Sequence, residues 1–227
     1  YIDERGIKLK NALLVFDFRT FKEFDNSDPT SMKHFEVYHS SKFNFHYKYL
    51  LQFLKIEFLS VIIPFKLFNK YFPYMEGVIS VMPESYDSIT NEFYNTGVDQ
   101  LLKTDSIKYY EERIDRFPPR PGTHREETKM STSEHVRMLT EIKDILDRNN
   151  TAYKVLICPS YNQVAYNRED LKLTEDVFGK ENVYNFTGIN RFTEDKSNFY
   201  DATHFKKYVG KQLLDSAYFA SGNASIE

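Results

Sequence analysis

Lys154-Val155-Leu156-Ile157-Cys158-Pro159 is a short apolar run closed by a proline. A continuous run of this kind suits a strand buried on both faces of a parallel sheet, and proline cannot donate to a ladder. Upstream, Ser131 and Glu134 stand at capping-box spacing. Val136, Leu139, Ile142, Ile145 and Leu146 then recur at helical spacing as far as Asn149-Asn150. Downstream, Leu171 to Phe178 reads as a helix stopped by Gly179, and Asn182-Val183-Tyr184-Asn185-Phe186 as the next strand. Phe205, Val209, Leu213, Leu214 and Ala217 mark a closing helix. Near the start, Asn11-Ala12-Leu13-Leu14-Val15-Phe16-Asp17-Phe18 is a second continuous apolar run, also expected to be buried on both faces. Strands alternating with helices imply a parallel sheet with right-handed crossovers. The expected fold class is α/β: a three-layer α/β/α sandwich around a central parallel sheet.

The 227 residues suit a single domain (1–227) carrying an insertion at about 30–125. That insertion opens after the acidic, turn-prone Asp25-Asn26-Ser27-Asp28-Pro29. It is helical and rich in aromatics: Leu51, Leu54, Phe58 and Ile62 recur at three- and four-residue steps, which predicts a helix ending at Pro64. Two readings apply to this helix, core packing or a lid or membrane-surface helix. Its apolar part is far shorter than the ~20 residues a bilayer span needs. Between Arg113 and Arg125 three prolines and a glycine forbid regular structure, so this stretch reads as a loop carrying four arginines. Such a loop serves either as a solvated connection or as a cover that binds an anion.

Composition narrows the function classes. Net charge is −3 with 30 Lys and Arg, which gives no global basic field, and nucleic acid is not an expected partner. No two glycines stand at G-x-G spacing and no Walker lysine loop is present, so nucleotide binding has no support. His34, His39 and His46 follow no zinc spacing; neither a metal nor another cofactor is expected. The single cysteine, Cys158, lies inside the apolar run and is expected to be a buried thiol. With 20 Phe and 17 Tyr and no Trp, the aromatics supply core and can also line a carbohydrate or aryl pocket.

The chemistry-bearing stretch is Phe199-Tyr200-Asp201-Ala202-Thr203-His204-Phe205, between the last strand and the closing helix. Open α/β sheets bind their ligands beyond the carboxyl ends of their strands, which is where this stretch falls. At Asp-x-x-His spacing one turn brings the carboxylate to Nδ1, fixing the tautomer and leaving Nε2 as a general base. The competing reading has Asp201 capping the last helix and His204 as an ordinary residue at its start. Asn162, in Pro159-Ser160-Tyr161-Asn162 after the central strand, is a candidate side-chain donor to an oxyanion.

Phe199 to Phe205 followed by a closing helix resembles the last sequence block of the SGNH/GDSL hydrolase superfamily, and residues 130–219 with the Leu13 run resemble parts of its fold. More narrowly, the layout is similar to SGNH-like proteins associated with acylation of bacterial cell-surface polysaccharides. The resemblance implies a flavodoxin-like sandwich and an ester hydrolase or O-acyltransferase acting on an acyl-ester or carbohydrate substrate. It also implies a triad in which His204 is the base and Asp201 its orienter. The family's Gly-Asp-Ser-like nucleophile block has no counterpart: Gly6 is followed by Ile7-Lys8, and no serine precedes Ser27. Two expectations follow. Either the nucleophile lies upstream of Tyr1, in a longer protein for which an extracytoplasmic or membrane-anchored place is the expectation, or the chain is a non-catalytic binding or scaffolding module.

Overall fold

The computed structural model describes residues 4–22, 35, 41–75, 78–79, 85–89, 92–120 and 122–219. The acidic turn at Asp25–Pro29, His34 and His39 lie outside the described residues. In chain order the elements begin β1 (Asn11–Phe16), α1 (Lys42–Phe53), α2 (Ile56–Phe68), β2 (Ser85–Tyr86), β3 (Phe93–Tyr94), α3 (Thr96–Thr104) and α4 (Ser106–Glu111). They continue β4 (Arg125–Glu126), α5 (Ser133–Arg148), β5 (Ala152–Ile157), β6 (Val164–Ala165), α6 (Arg168–Phe178), β7 (Val183–Asn185) and α7 (Lys207–Tyr218). The chain divides into two compact units, Phe24–Glu112 and Ile2–Glu23 with Arg113–Glu227.

The second unit is mixed α/β with a small parallel sheet in the order β1-β5-β7. The three apolar runs pair as parallel neighbours: Val15 lies opposite Leu156, and Leu156 opposite Tyr184. β5 is central, and its alternation divides two apolar clusters. Val155 and Ile157 join Leu139, Phe178 and Phe16 in one, with Ile142 and Leu171 of α5 and α6 packed against it. Leu156 joins Val209, Leu213 and Ala217 of α7 in the other, with Phe186 and Phe192. Successive strand side chains point to opposite faces, so the clusters lie on opposite sides of the sheet.

β1 corrects the expectation that its run is buried on both faces. It is an edge strand: among the described residues it pairs with β5 alone. Leu13 and Val15 point to the α7 side, where they remain 40% and 61% exposed. α7 packs over β5 through Leu156, and the continuous apolar run carries no information about the number of neighbours a strand will have.

Two helix boundaries also differ from expectation. Ser131 does not cap α5: its N–H donates to the carboxylate of buried Asp170, at 3.1 Å, beside the N–H of Met130 at 3.0 Å. The cap passes to Thr132, and the box is closed by His135, whose Nδ1 accepts the Thr132 N–H at 3.1 Å. Val136, one turn in, is exposed. α6 ends as its sequence implies, with Gly179 at φ 83°, a conformation that favours glycine.

In the first unit the helix expected to stop at Pro64 is two consecutive helices. Lys55 adopts an extended conformation between α1 and α2, and Phe53 meets Phe58 edge to face at 5.3 Å. α2 runs through Pro64 and closes at Asn69 in the left-handed region (φ 48°). β2 and β3 form a short antiparallel pair.

The two clusters set an expected contrast. Phe178 is 1% exposed and touches Phe16 and Tyr153 edge to face. Phe178→Ala is expected to cost about 3–5 kcal/mol in urea unfolding. Val15→Ala, on the open face of β1, should cost under about 1 kcal/mol. Equal losses would contradict this assignment of core and edge.

Candidate active site

The site is built on the loop between β7 and α7. Asn190 makes the first turn, donating from Nδ2 to the carbonyls of Phe186 at 2.8 Å and Thr187 at 3.1 Å, while its Oδ1 accepts the N–H of Phe192 at 2.9 Å. This drops Phe192 onto Phe186, ring centroids 5.5 Å apart. A single 3₁₀ turn, Lys196–Asn198, follows, capped by Asp195 through the Ser197 N–H at 2.7 Å. Phe199 and Phe205 then form an antiparallel bridge, and Tyr200 N–H donates to the His204 carbonyl at 2.7 Å. Phe199 is fully buried and Phe205 packs on the α7 cluster. The two phenylalanines thus pin the ends of a tight loop and leave its middle to present polar groups.

Within that loop Asp201 does two things at once. Its Oδ1 accepts the backbone N–H of Thr203 at 2.8 Å and of His204 at 2.9 Å, an Asx-type turn. The same carboxylate meets His204 Nδ1, at 2.9 Å from Oδ1 and 2.8 Å from Oδ2. Asp201 does not cap the closing helix, which starts at Lys207 with Lys206 at its N-cap. The imidazole side chain is 74% exposed and the carboxylate side chain 25%. Among the described residues nothing hydrogen-bonds Nε2. Burial pushes the Asp201 carboxyl up, but the Thr203 N–H, the imidazole and the His204 N–H together outweigh it and hold the group below 3.8, its ordinary value. A carboxylate held ionised against Nδ1 favours the Nδ1–H tautomer and leaves the Nε2 lone pair facing solvent.

The loop is tied to the carboxyl end of β5. Tyr161 N–H donates to the Ala202 carbonyl, and Ala202 N–H to the Arg116 carbonyl, both at 3.1 Å. Asn162, the candidate oxyanion donor, therefore lies in the segment that touches the Asp201–His204 loop. Its Oδ1 accepts from the Ser160 hydroxyl at 2.5 Å and the Val164 N–H at 3.4 Å. Ser160, the serine of this segment, is thus committed to Asn162. Ser41 caps α1 by accepting the Asn44 N–H. Cys158 follows β5 as a partly buried thiol that desolvation, with Asp17 nearby, pushes up to about 11, which leaves it protonated and unreactive at neutral pH.

Sequence reading missed Arg120. One guanidinium donates to the carbonyl of Tyr161 from Nε at 3.0 Å, of Glu194 at 2.6 Å and of Thr193 at 2.7 Å. It also stacks on the Tyr161 ring, 4.1 Å from the centroid. The arginine-proline loop is thus neither a bare connection nor, at Arg120, an anion binder: it clamps two segments that flank the histidine loop. Gln163 is a second missed residue. It is buried with φ 60°, and its Nε2 donates to the Thr193 carbonyl at 3.2 Å. Partners 30 to 74 residues away leave no local signal for either side chain.

Among the described residues no three His, Cys, Asp or Glu side chains gather to hold a metal ion. Comparison of the chain with protein-family models, with curated proteins and with solved structures gave no match.

Two outcomes are expected. Lysine cannot reproduce three carbonyl contacts and a ring stack, so Arg120→Lys should lose stability nearly as Arg120→Ala does, about 1–3 kcal/mol by urea unfolding. Full retention by the lysine variant would contradict the clamp. Because the Asp201 pKa is depressed in the folded loop, its contribution is complete above the unfolded value and fades as pH falls through the folded one. The side-chain carboxyl 13C shift of Asp201 should therefore titrate with a midpoint below 3.8, and a midpoint at or above that value would contradict the depressed pKa.

Proposed function

We propose that Asp201 and His204 are the base half of a serine-type acyl-transfer site, in an ester hydrolase or O-acyltransferase of SGNH-like fold. The observation that carries this reading is the imidazole held through Nδ1 on an ionised carboxylate, at 2.8 and 2.9 Å, with its other edge open. In such a site Nε2 takes the proton of an attacking hydroxyl and returns it to the leaving group, while Asp201 steadies the imidazolium. A three-layer α/β/α sandwich is the proposed architecture. Apolar clusters on both sides of the parallel sheet favour it, and so does a site beyond the strand carboxyl ends. With the Asn162 oxygen engaged, its amide nitrogen is the group left to donate to an oxyanion. The proposed substrates are acyl esters, with carbohydrate as the acyl carrier or acceptor.

The nucleophile in this proposal comes from outside residues 1–227. Among the described residues no serine hydroxyl hydrogen-bonds His204, and Ser160 donates to Asn162. The same observation favours a second reading, a non-catalytic binding or scaffolding module.

Hydrolysis of a chromogenic short-chain acyl ester separates the two. The chain alone is expected to show no His204-dependent turnover. A form extended at its N terminus along its own gene should hydrolyse the ester and lose several powers of ten in rate on His204→Ala. His204-dependent hydrolysis by the present chain would place the nucleophile inside it. An extended form inert towards acyl esters and acyl acceptors would leave the binding module.

A further inference from the structure

α1 and α2 expose the wrong face. On a surface helix the stripe turned to solvent is polar and the apolar stripe is buried. On α2 the outward stripe is Ile56, Ser60, Ile63 and Leu67, spaced four, three and four residues apart, which is one helical face. Ile56 is 72% exposed and Leu67 73%. Val61, the one buried residue of α2, lies off that stripe. α1 repeats the pattern at the same spacing with Phe43, Tyr47, Leu50 and the following Leu54, all exposed, Phe43 at 79%. α1 has no buried residue at all. The α2 stripe is apolar except for Ser60, and α1 also exposes Tyr49, Leu51 and Phe53, so the two consecutive helices present a clustered apolar surface to solvent, not scattered exposure.

Charge selects the occupant. From Lys42 to Lys70 the chain carries Lys42, Lys48, Lys55, Lys66 and Lys70 against Glu57 alone, a net of four positive charges in a protein whose total is −3. Such a segment repels a second copy of itself and attracts an anionic surface. α2, at 13 residues, spans about 20 Å, short of the ~30 Å hydrocarbon core. Among the described residues no helix is long and apolar enough to cross a membrane. The combination of apolar stripes, flanking lysines and tyrosines suits helices lying in the headgroup region.

We propose that α1 and α2 form a membrane-docking element that inserts the Phe43–Leu54 and Ile56–Leu67 stripes into the surface of an anionic lipid bilayer. Lysines 42, 48, 55, 66 and 70 meet the headgroups, and neither helix spans.

The test is flotation of the whole chain with vesicles of phosphatidylcholine alone and of phosphatidylcholine mixed with phosphatidylglycerol. Binding is expected to the anionic vesicles and to weaken with added salt. Ile63→Glu and Leu67→Glu substitute exposed positions, so circular dichroism should be unchanged while partitioning falls by about ten-fold or more each. Lys55→Gln and Lys66→Gln should each weaken it about five-fold. Absence of binding to anionic vesicles overturns the proposal. So does binding that the Ile63 and Leu67 variants retain, and so does a dimer seen by light scattering that Ile63→Glu dissolves, since the stripes would then cover each other.

Discussion

The backbone pairing of β5 is the constraint on which the second unit depends. Among the described residues β5 alone has a parallel neighbour on each side, and its strict alternation sends Val155 and Ile157 to one apolar cluster and Leu156 to the other. Both helical packings, α5 with α6 and α7 on the opposite side, are therefore fixed by one six-residue strand. The same ladder fixes where the chain leaves the sheet: Cys158 N–H still pairs with Phe16, at 2.9 Å, and the next residues turn into the segment that meets Ala202. Position at the carboxyl end of a parallel sheet is thus translated, bond by bond, into the position of a histidine.

The histidine loop itself is rigid for reasons of its own. Two phenylalanines bury its ends, the Tyr200–His204 backbone bond closes it, and Asp201 fills it with accepted N–H groups. An aspartate that serves the turn and the imidazole together cannot release one without loosening the other. Arg120 then holds the neighbouring segments, at Tyr161 and at Thr193-Glu194, in fixed relation. Preorganisation of this kind is what acid–base chemistry needs, because a base that must first find its orientation spends its proton affinity on reorganisation. It is equally what a rigid recognition surface needs, which is why the chemistry of Nε2 and not the geometry alone decides between enzyme and module.

Features encoded by neighbours in the sequence were legible, and features encoded by distant partners were not. The apolar runs around Leu13, Val155 and Val183, the α6 stop at Gly179 and the Asp201–His204 contact all arise within a few residues, so pattern and spacing reveal them. The edge position of β1 depends on what else joins the sheet, and its run of apolar residues reads the same in the middle or at the side. The capping box moved by one residue because Asp170, some 40 positions away, claims the Ser131 N–H. Arg120 was one arginine among four until three carbonyls on two other segments identified it. The break at Lys55 was hidden because the apolar rhythm continues across it, and Pro64 looked like a stop in a helix that accommodates it.

The most direct test of the central claim is the protonation chemistry of His204 itself. In 15N NMR of the neutral imidazole, the geometry requires the proton on Nδ1 and the lone pair on Nε2, and Asp201→Asn should shift that balance towards the other tautomer. A wild-type His204 with its proton on Nε2, or a tautomer ratio indifferent to Asp201→Asn, would contradict an imidazole oriented by Asp201 for general-base chemistry.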